Sequence, residues 1–375
     1  MADEIFDLYD REKILLNEGS VILQNADPLK VHQYAERLLD RFAKLVRENE
    51  DLTRHSDRQE QRLFKLNRNL KIQTQELELQ RNKLEGLSQQ LAKYLPPQIH
   101  EAIFAGKYDT QITTQRKKLT VFFSDIKDFT RTAESLQPES LTEYLNEYFS
   151  EMTQIALSYG ATIDKYIGDA VMAFWGAPVE DPRHAQNAVH AALGMQAQAR
   201  RLSQQFLKKG WPELRIGIGL NSGPMRVGDM GSKIRRAYTV MGDAVNLGAR
   251  LEGLTKHYVV GILIGEETQK RLTGWACREV DRVRVKGKNR TVAIFEPLGP
   301  DAELPETLAA ELAQWQQVLL AYRAQEWAGA LLLLASLQAQ QPLSELYALY
   351  AKRIAHFQAH PPVAHWDGTT NHDSK

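Results

Sequence analysis

The chain has 375 residues, 43% of them hydrophobic, and its 47 basic residues balance its 47 acidic ones. This length predicts two or three segments, while zero net charge without a long basic run argues against nucleic acid as the main partner. Cys277 is the single cysteine, so an intrachain disulfide is excluded. The longest apolar stretch (near 328–337) is too short to span a bilayer. The polar start is unlike a signal peptide, which favours a cytoplasmic protein.

The first quarter of the chain is predicted to be a helical or irregular segment followed by a coiled coil. Residues 1–37 are polar, with turns expected near 17–20 and at Asp27-Pro28. From Leu38 to Leu91, seam positions recur in steps of four and three, which is a heptad pattern and predicts a coiled coil over 38–92. Polar seam residues interrupt its first half, which could instead fold back. Whether the coil only dimerises or also transmits a signal stays open.

A transducer segment over 93–116 is predicted next, because Pro96-Pro97 ends the coil sharply. An apolar strand then runs from Leu119 into Asp125. After Pro138 the apolar positions repeat at helical spacing until Gly160, which predicts an amphipathic helix.

Residues 163–176 are predicted to form a β-hairpin with a carboxylate at its tip. Two strand-like runs flank Gly168-Asp169. If strand, helix and hairpin form a split β-α-β unit, the end of the first strand and the hairpin tip share one edge of the sheet. Asp125 and Asp169 then face a common point, as a two-metal site requires.

The remaining chain alternates helices and strands. A helix over 184–202 precedes a strand over 214–222 that is expected to end at Gly223-Pro224, and Asp243 is expected to cap a helix. After a hairpin through 286–289 and a linker, 307–360 is predicted to be a helical segment similar to one tetratricopeptide-like pair. Residues 361–375 are predicted to be disordered, apart from an anchor at Trp366.

Three motifs resemble those of the class III nucleotide cyclase catalytic domain, in its bacterial adenylate branch. They are V-F-F-S-D-I, D-K-Y-I-G-D-A-V-M-A and Y-T-V-M-G-D-A-V-N-L-G-A-R. The resemblance covers roughly 117–299, with the motifs in family order and spacing. It implies an α+β fold, with a ferredoxin-like (split β-α-β) cyclase domain preceded by a long coiled-coil helix and followed by a short α-helical tail.

The resemblance also implies an adenylate cyclase that converts ATP to 3′,5′-cyclic AMP and pyrophosphate at composite sites of a homodimer. Two Mg²⁺ per site, replaceable by Mn²⁺, would be held by Asp125, Asp169 and the Ile126 carbonyl. Asn246 would orient the ribose and Arg250 would meet the charge on the α-phosphate. The same resemblance implies two contacts to the β- and γ-phosphates, namely Arg235 and Lys286.

Hydrogen bonding favours adenine over guanine as the base. Lys165 can only donate and Thr239 can accept, which suits N1 and the amino group of adenine, whereas guanine would present a donor to the lysine. Threonine at 239 also resembles the bicarbonate-responsive members of the family. Asp128 departs from the family pattern, since many members have glycine there.

Three alternatives remain in view. Guanylate cyclisation on the same fold is opposed by the Lys165 and Thr239 pair. A diguanylate cyclase would carry a G-G-[DE]-E-F hairpin, which is missing here. A non-catalytic nucleotide-sensing scaffold would lack at least one of the proposed active-site residues, and all are present. The expected partners are ATP and a second copy of the chain, with room for an unidentified regulator at the N-terminal segment or the C-terminal helices.

Overall fold

The computed structural model describes residues 2–24, 27–92, 95–97, 99–100, 114–232, 234–285, 291–363 and 366–372. Contacts divide the chain into two units, Met1–Gln90 and Leu91–Lys375, each with its own packing.

The first unit is built from two helices, α1 (Ala2–Gln24) and α2 (Pro28–Leu91). The turn predicted near 17–20 is wrong, because α1 runs through it. Gly19 serves a close approach between the helices, since a Cβ on it would lie 2.1 Å from the Tyr34 hydroxyl oxygen. That hydroxyl donates to the Leu15 carbonyl oxygen at 2.7 Å. A glycine that sequence reasoning assigns to a turn therefore marks a helix–helix contact.

The predicted seam of α2 is apolar but uncovered within one chain. Leucine and phenylalanine side chains along it are largely exposed, in a helix of 64 residues. They include Phe42 at 63%, Leu63 at 60%, Leu70 at 50%, Leu77 at 66% and Leu84 at 65%. A helix of this length with an uncovered apolar stripe is typical of a helix that pairs with another one.

The second unit is a mixed sheet flanked by helices. The described strands are β1 (Gln115–Ile126), β2 (Thr162–Ile167), β3 (Ala170–Trp175), β4 (Ile216–Gly231), β5 (Arg236–Met241), β6 (Ile262–Gly265), β7 (Trp275–Val285), β8 (Val292–Pro300) and β9 (Thr370–His372). Their order in the sheet is β2-β3-β1-β4-β6-β8-β7-β9, and β5 also pairs with β4.

The helices of this unit lie between those strands and after them. They are α3 (Phe129–Ser135), α4 (Pro138–Ser158), α5 (His184–Lys208), α6 (Asp243–Tyr258), the short α7 (Glu266–Gln269), α8 (Glu306–Arg323), α9 (Trp327–Gln340) and α10 (Glu345–Ala359). Helix α4 begins at the predicted proline and buries Tyr144, Tyr148 and Met152 against the sheet.

The predicted split β-α-β arrangement is confirmed. Strand β3 pairs antiparallel with both β1 and β2, so it lies between them, and β1 and β2 run in the same direction. The buried run of β3 explains this central position, because five of its six residues are buried.

One predicted strand end is wrong. Strand β4 continues through Pro224 to Gly231, with Pro224 opposite Lys118 of β1. On its other side, β4 pairs with β6 up to Leu220 and with β5 from Arg226 onward. The proline lies in the gap between these partners, where a residue without an N–H group disturbs the sheet least.

Helix α6 packs unusually close to the sheet. A Cβ built on Gly219 of β4 would lie 2.1 Å from the backbone nitrogen of Glu252. Glycine therefore allows the helix backbone to approach the strand directly, and it fixes the height of α6 above the end of β1.

The C-terminal helices share a core with α6 and β7. Trp315, Tyr322 and Tyr350 are buried together with Leu251 of α6 and Val280 of β7. The sequence predicts a helical pair, whereas the structure has three helices here, α8 to α10.

The end of the chain is also more ordered than its composition indicates. Residues 370–372 pair in parallel with 283–285 of β7 as strand β9, and Trp366 contacts Tyr322, Trp327 and Phe357. The polar tail is retained by edge pairing and one aromatic anchor, which a composition argument does not detect.

A buried ion pair joins α10 to β7. Arg353 lies 2.7 Å from an oxygen of Asp281, whose side chain is 1% exposed. The same carboxylate accepts from the Tyr258 hydroxyl at 2.6 Å and the Thr370 hydroxyl at 2.7 Å. Burial and the Asp281 charge raise the pKa of Tyr258 well above its usual value.

In the part of the chain described, no helix is both long and apolar enough to cross a bilayer.

We expect Arg353→Leu to lower the free energy of unfolding by about 3–5 kcal/mol, because it leaves Asp281 buried without its cation. Urea unfolding followed by circular dichroism measures the change. Arg284→Leu is the matched control, since Arg284 pairs with Asp367 at the surface and should cost less than about 1 kcal/mol. Equal losses in the two variants would contradict the assignment.

Candidate active site

Two carboxylates meet at one edge of the sheet. Asp125 lies at the end of β1, and Asp169 lies in the turn between β2 and β3. Since Ser124 is opposite Val171, the β1–β3 register places the turn beside the end of β1. The backbone N–H of Ile126 donates to Asp169 Oδ2 at 3.0 Å. The structure therefore brings together the two residues that the sequence pattern predicts to be neighbours.

The environment of Asp169 disfavours the ionisation of its carboxyl. Burial, together with the hydrogen bond and charge of Asp125, raises the pKa of Asp169 to about 6. Burial and the charge of Asp125 likewise raise the pKa of Glu252, on the facing side of α6, to about 7. Lys256 Nζ lies 3.3 Å from Asp125 Oδ2 and offsets part of this negative charge. The site is thus rich in negative potential.

A cavity of about 610 Å³ opens in front of the carboxylates. Its lining combines anionic and cationic side chains: Asp125, Asp128, Arg131, Glu134, Asp169 and Lys256. Asp128 has a left-handed backbone conformation, with φ 57° and ψ 32°. Aspartate adopts this conformation more readily than most residues, and glycine would adopt it without steric cost.

The donor set fits hard divalent cations. Asp125 and Asp169 supply carboxylate oxygens, the ligands preferred by Mg²⁺, and Mg²⁺ is usually held by one or two carboxylates together with substrate phosphates. Within the described ranges, no group of three or more His, Cys, Asp or Glu residues is arranged to hold a metal. A cation here would therefore use the paired carboxylates, a backbone oxygen such as that of Ile126, and oxygens from outside the chain.

Lys165 and Thr239 meet on neighbouring strands. Lys165 of β2 and Thr239 of β5 approach each other, with Nζ to Oγ1 at 3.3 Å. Asp164 joins them, since its Oδ1 lies 2.9 Å from Lys165 Nζ and its Oδ2 accepts from Thr239 Oγ1 at 2.5 Å. The Lys165 side chain is 43% exposed and that of Asp164 is fully buried. Lys165 thus presents a donor and Thr239 an acceptor, and both side chains contact the buried Asp164.

Asn246 and Arg250 lie on the exposed side of α6, one turn apart, whereas Leu247 and Leu251 between and beyond them are buried. Arg235 is exposed in the turn before β5, where its backbone N–H donates to Ser232 Oγ at 3.0 Å. Lys286, the other predicted phosphate contact, lies outside the described residues.

Three polar residues of this region escaped sequence reasoning. Glu252 and Lys256 are one turn apart on α6, so helical periodicity could have placed them on one face. The close approach at Gly219 that directs this face at Asp125 leaves no periodic signal. Asp164 was read only as part of a motif. Neighbouring side chains of a regular strand point to opposite faces, and the register shift between Ile163 and Lys165 departs from that regular pattern.

The comparisons with known proteins agree on one family. Residues 112–295 match the adenylate and guanylate cyclase catalytic domain. An adenylate cyclase of Anabaena cylindrica is 34% identical over 236 residues, which is 59% of this chain and 45% of that protein. Guanylate cyclases are matched as well. The chain spans less than half the length of the curated relatives it matches.

Solved structures show the same likeness. The adenylyl cyclase CyaB from P. aeruginosa is 41% identical, with 52% of this chain and 100% of that chain covered and a TM-score of 0.48. A bacterial light-regulated adenylyl cyclase is 26% identical, with 60% of this chain and 64% of that chain covered and a TM-score of 0.52.

We expect Asp169→Asn to raise the melting temperature of the metal-free protein at neutral pH. A carboxyl whose pKa lies above its ordinary value costs folding free energy when it is ionised, and the amide removes that cost. The variant should also lose the stabilisation that Mn²⁺ gives the wild type, since binding to the folded state stabilises it. Thermal melts with and without Mn²⁺ measure both effects.

Asp301→Asn is the matched control for this experiment, because Asp301 is exposed and remote from the paired carboxylates in the chain. It should leave both the metal-free melting temperature and the response to Mn²⁺ unchanged. An undiminished Mn²⁺ response in Asp169→Asn would exclude Asp169 as a ligand.

Proposed function

The chain belongs, through residues 112–295, to the adenylate and guanylate cyclase family, and from this premise we propose that it is an adenylate cyclase. It converts ATP to 3′,5′-cyclic AMP and pyrophosphate. The observation that carries the choice of ATP is the pairing of Lys165 with Thr239, whose Nζ and Oγ1 atoms lie 3.3 Å apart. Side by side they offer one donor and one acceptor, the complement of the adenine edge.

Asp125, Asp169 and the Ile126 carbonyl would hold two Mg²⁺, for which Mn²⁺ can substitute. When bound, such ions lower the pKa of a hydroxyl and neutralise phosphate charge. The support for this assignment is the close carboxylate pair, whose mutual repulsion a cation relieves. Lys256 Nζ, which lies 3.3 Å from Asp125 Oδ2, adds a positive charge beside the pair.

The exposed face of α6 supplies the remaining chemistry. Arg250 stabilises negative charge that develops on the α-phosphate, since a guanidinium binds phosphate oxygens in a bidentate manner. Asn246, one turn earlier, orients the ribose through its amide. Arg235 and Lys286 contact the β- and γ-phosphates, and so hold the leaving pyrophosphate.

We further propose that the active sites are composite. One protomer gives Asp125 and Asp169, and its partner gives Lys165, Thr239, Asn246 and Arg250. The exposure of Asn246 and Arg250 in the single chain is consistent with a role across an interface. Two-fold symmetry then produces two identical sites.

The apolar seam of α2 would bring the two protomers together. A second copy of the same helix is its natural occupant, because a heptad seam packs best against a matching seam. Linking the two protomers in this way raises the effective concentration of one catalytic unit near the other.

Guanylate cyclisation is the second candidate, and it is favoured by the guanylate cyclases among the relatives. A product assay with ATP and GTP decides between the two. Cyclic AMP as the main product supports the proposal, and cyclic GMP as the main product refutes it.

The composite site is tested by mixing two inactive variants. Asp125→Ala and Arg250→Ala should each abolish activity alone, yet in a mixed dimer one site receives both lesions and the other none. With random pairing about half of the dimers are mixed, so the recovered activity should approach roughly a quarter of the wild-type value. Co-expression followed by a cyclase assay measures it.

The matched control is a mixture of Asp125→Ala and Asp169→Ala. These lesions belong to the same side of the site, so every site in every dimer is damaged and no activity should return. If subunit exchange is demonstrated and the first mixture stays inactive, the sites lie within single chains.

Base choice is tested by the double change Lys165→Glu and Thr239→Cys. Glutamate accepts from guanine where lysine donates to adenine, so the ratio of kcat/KM for GTP to that for ATP should rise about tenfold or more. Lys118→Glu is a charge-matched control on an exposed position of β1 and should leave the ratio unchanged. An unaltered ratio in the double variant would exclude this pair as the adenine contact.

A further inference from the structure

Asp164 is a buried carboxylate that no step of the proposed reaction uses. It precedes Lys165 in β2, at a point where the β2–β3 register shifts between Ile163 and Lys165. Its side chain is fully buried, which is unusual for a residue beside an exposed lysine. A buried charge of this kind is costly unless both oxygens find partners.

One oxygen of Asp164 accepts a hydrogen bond, and the other lies at ion-pair distance from an ammonium without a hydrogen bond. Oδ2 accepts the Thr239 hydroxyl at 2.5 Å, and Oδ1 lies 2.9 Å from Lys165 Nζ. Because Lys165 Nζ also approaches Thr239 Oγ1 at 3.3 Å, the three side chains form a closed triangle. The partners of Asp164 are therefore the same two residues that are proposed to read the base.

The triangle fixes the direction of the Thr239 hydroxyl. An ionised carboxylate only accepts hydrogen bonds, and a hydroxyl has a single proton. Thr239 must give that proton to Asp164, in a charge-assisted bond stronger than a neutral one. Its oxygen is left as an acceptor, with one lone pair facing Lys165 and the other available to a ligand.

We propose that Asp164 is a specificity-determining positioning residue, which makes Thr239 an obligatory acceptor and so excludes guanine. This inference rests on the proposed function, in which Lys165 and Thr239 contact the base. Without Asp164 the hydroxyl could rotate and donate to O6 of guanine. With Asp164, guanine O6 meets an acceptor and guanine N1–H meets a cationic donor, and both mismatches oppose binding.

The test is Asp164→Asn, which preserves shape and changes hydrogen bonding. The ammonium of Lys165 is the stronger donor and claims the amide oxygen, so the amide nitrogen faces Thr239 and donates to it. The threonine proton is then released toward the base. We expect the ratio of kcat/KM for ATP to that for GTP to fall about tenfold. Asp164→Ala, which only frees the hydroxyl, should change the ratio in the same direction.

A double-mutant cycle separates positioning from structure. Thr239→Val removes the hydroxyl through which Asp164 is proposed to act. In that background Asp164→Asn should change the ratio less than about twofold, because the coupled partner is gone. Asp281→Asn, at another buried aspartate, controls for general destabilisation and should lower the melting temperature without changing the ratio.

Each outcome has a distinct meaning. A fall in the ratio that disappears in the Thr239→Val background supports the proposal. An unchanged ratio in the folded Asp164 variants, or equal losses of both activities, overturns it while leaving the adenylate cyclase proposal intact. A wild-type enzyme that prefers GTP overturns the proposed function itself, which the product assay detects before any variant is made.

Discussion

The insertion of β3 between β1 and β2 is the constraint on which the site depends. Because β3 is antiparallel to both neighbours, β1 ends where the β2–β3 turn lies, and Asp125 and Asp169 meet there. The bond from the Ile126 N–H to Asp169 ties the turn to the strand end. The packed, buried strands of the sheet hold the two carboxylates close together despite the repulsion between them.

Helix α6 links this edge to the rest of the unit. Its exposed side carries Asn246 and Arg250, the Glu252 and Lys256 face lies toward Asp125, and its last residue, Tyr258, bonds to the buried Asp281. The C-terminal helices hold Asp281 through Arg353. They therefore support the far end of the helix that carries the proposed catalytic side chains, and they belong to the same folded body as the site.

Sequence reasoning predicted what strong local patterns encode. The strand entering Asp125, the amphipathic helix from Pro138 and the hairpin at Asp169 follow from periodicity and turn chemistry, and topology then brings the two aspartates together. It did not predict features set by close approach or edge pairing.

Gly19 was assigned to a turn, because its contact with Tyr34 on another helix leaves no local signal. Strand β4 was ended at Pro224, because the gap between β6 and β5 is a property of the whole sheet. The tail was assigned to disorder, because the three residues of β9 carry no pattern of their own.

The hairpin has a further consequence under the composite-site proposal. Lys165 and Asp169 are four residues apart in one hairpin, yet they would serve different sites of the dimer. Any change in the twist of β2 therefore acts on base recognition in one site and on the carboxylate pair in the other. Asp164 limits such changes at the base end, since its bonds tie β2 to Thr239 of β5, and the Ile126 N–H limits them at the other end. Because the hairpin is held at both ends, it keeps the residues it would give to the two sites at a fixed distance from each other.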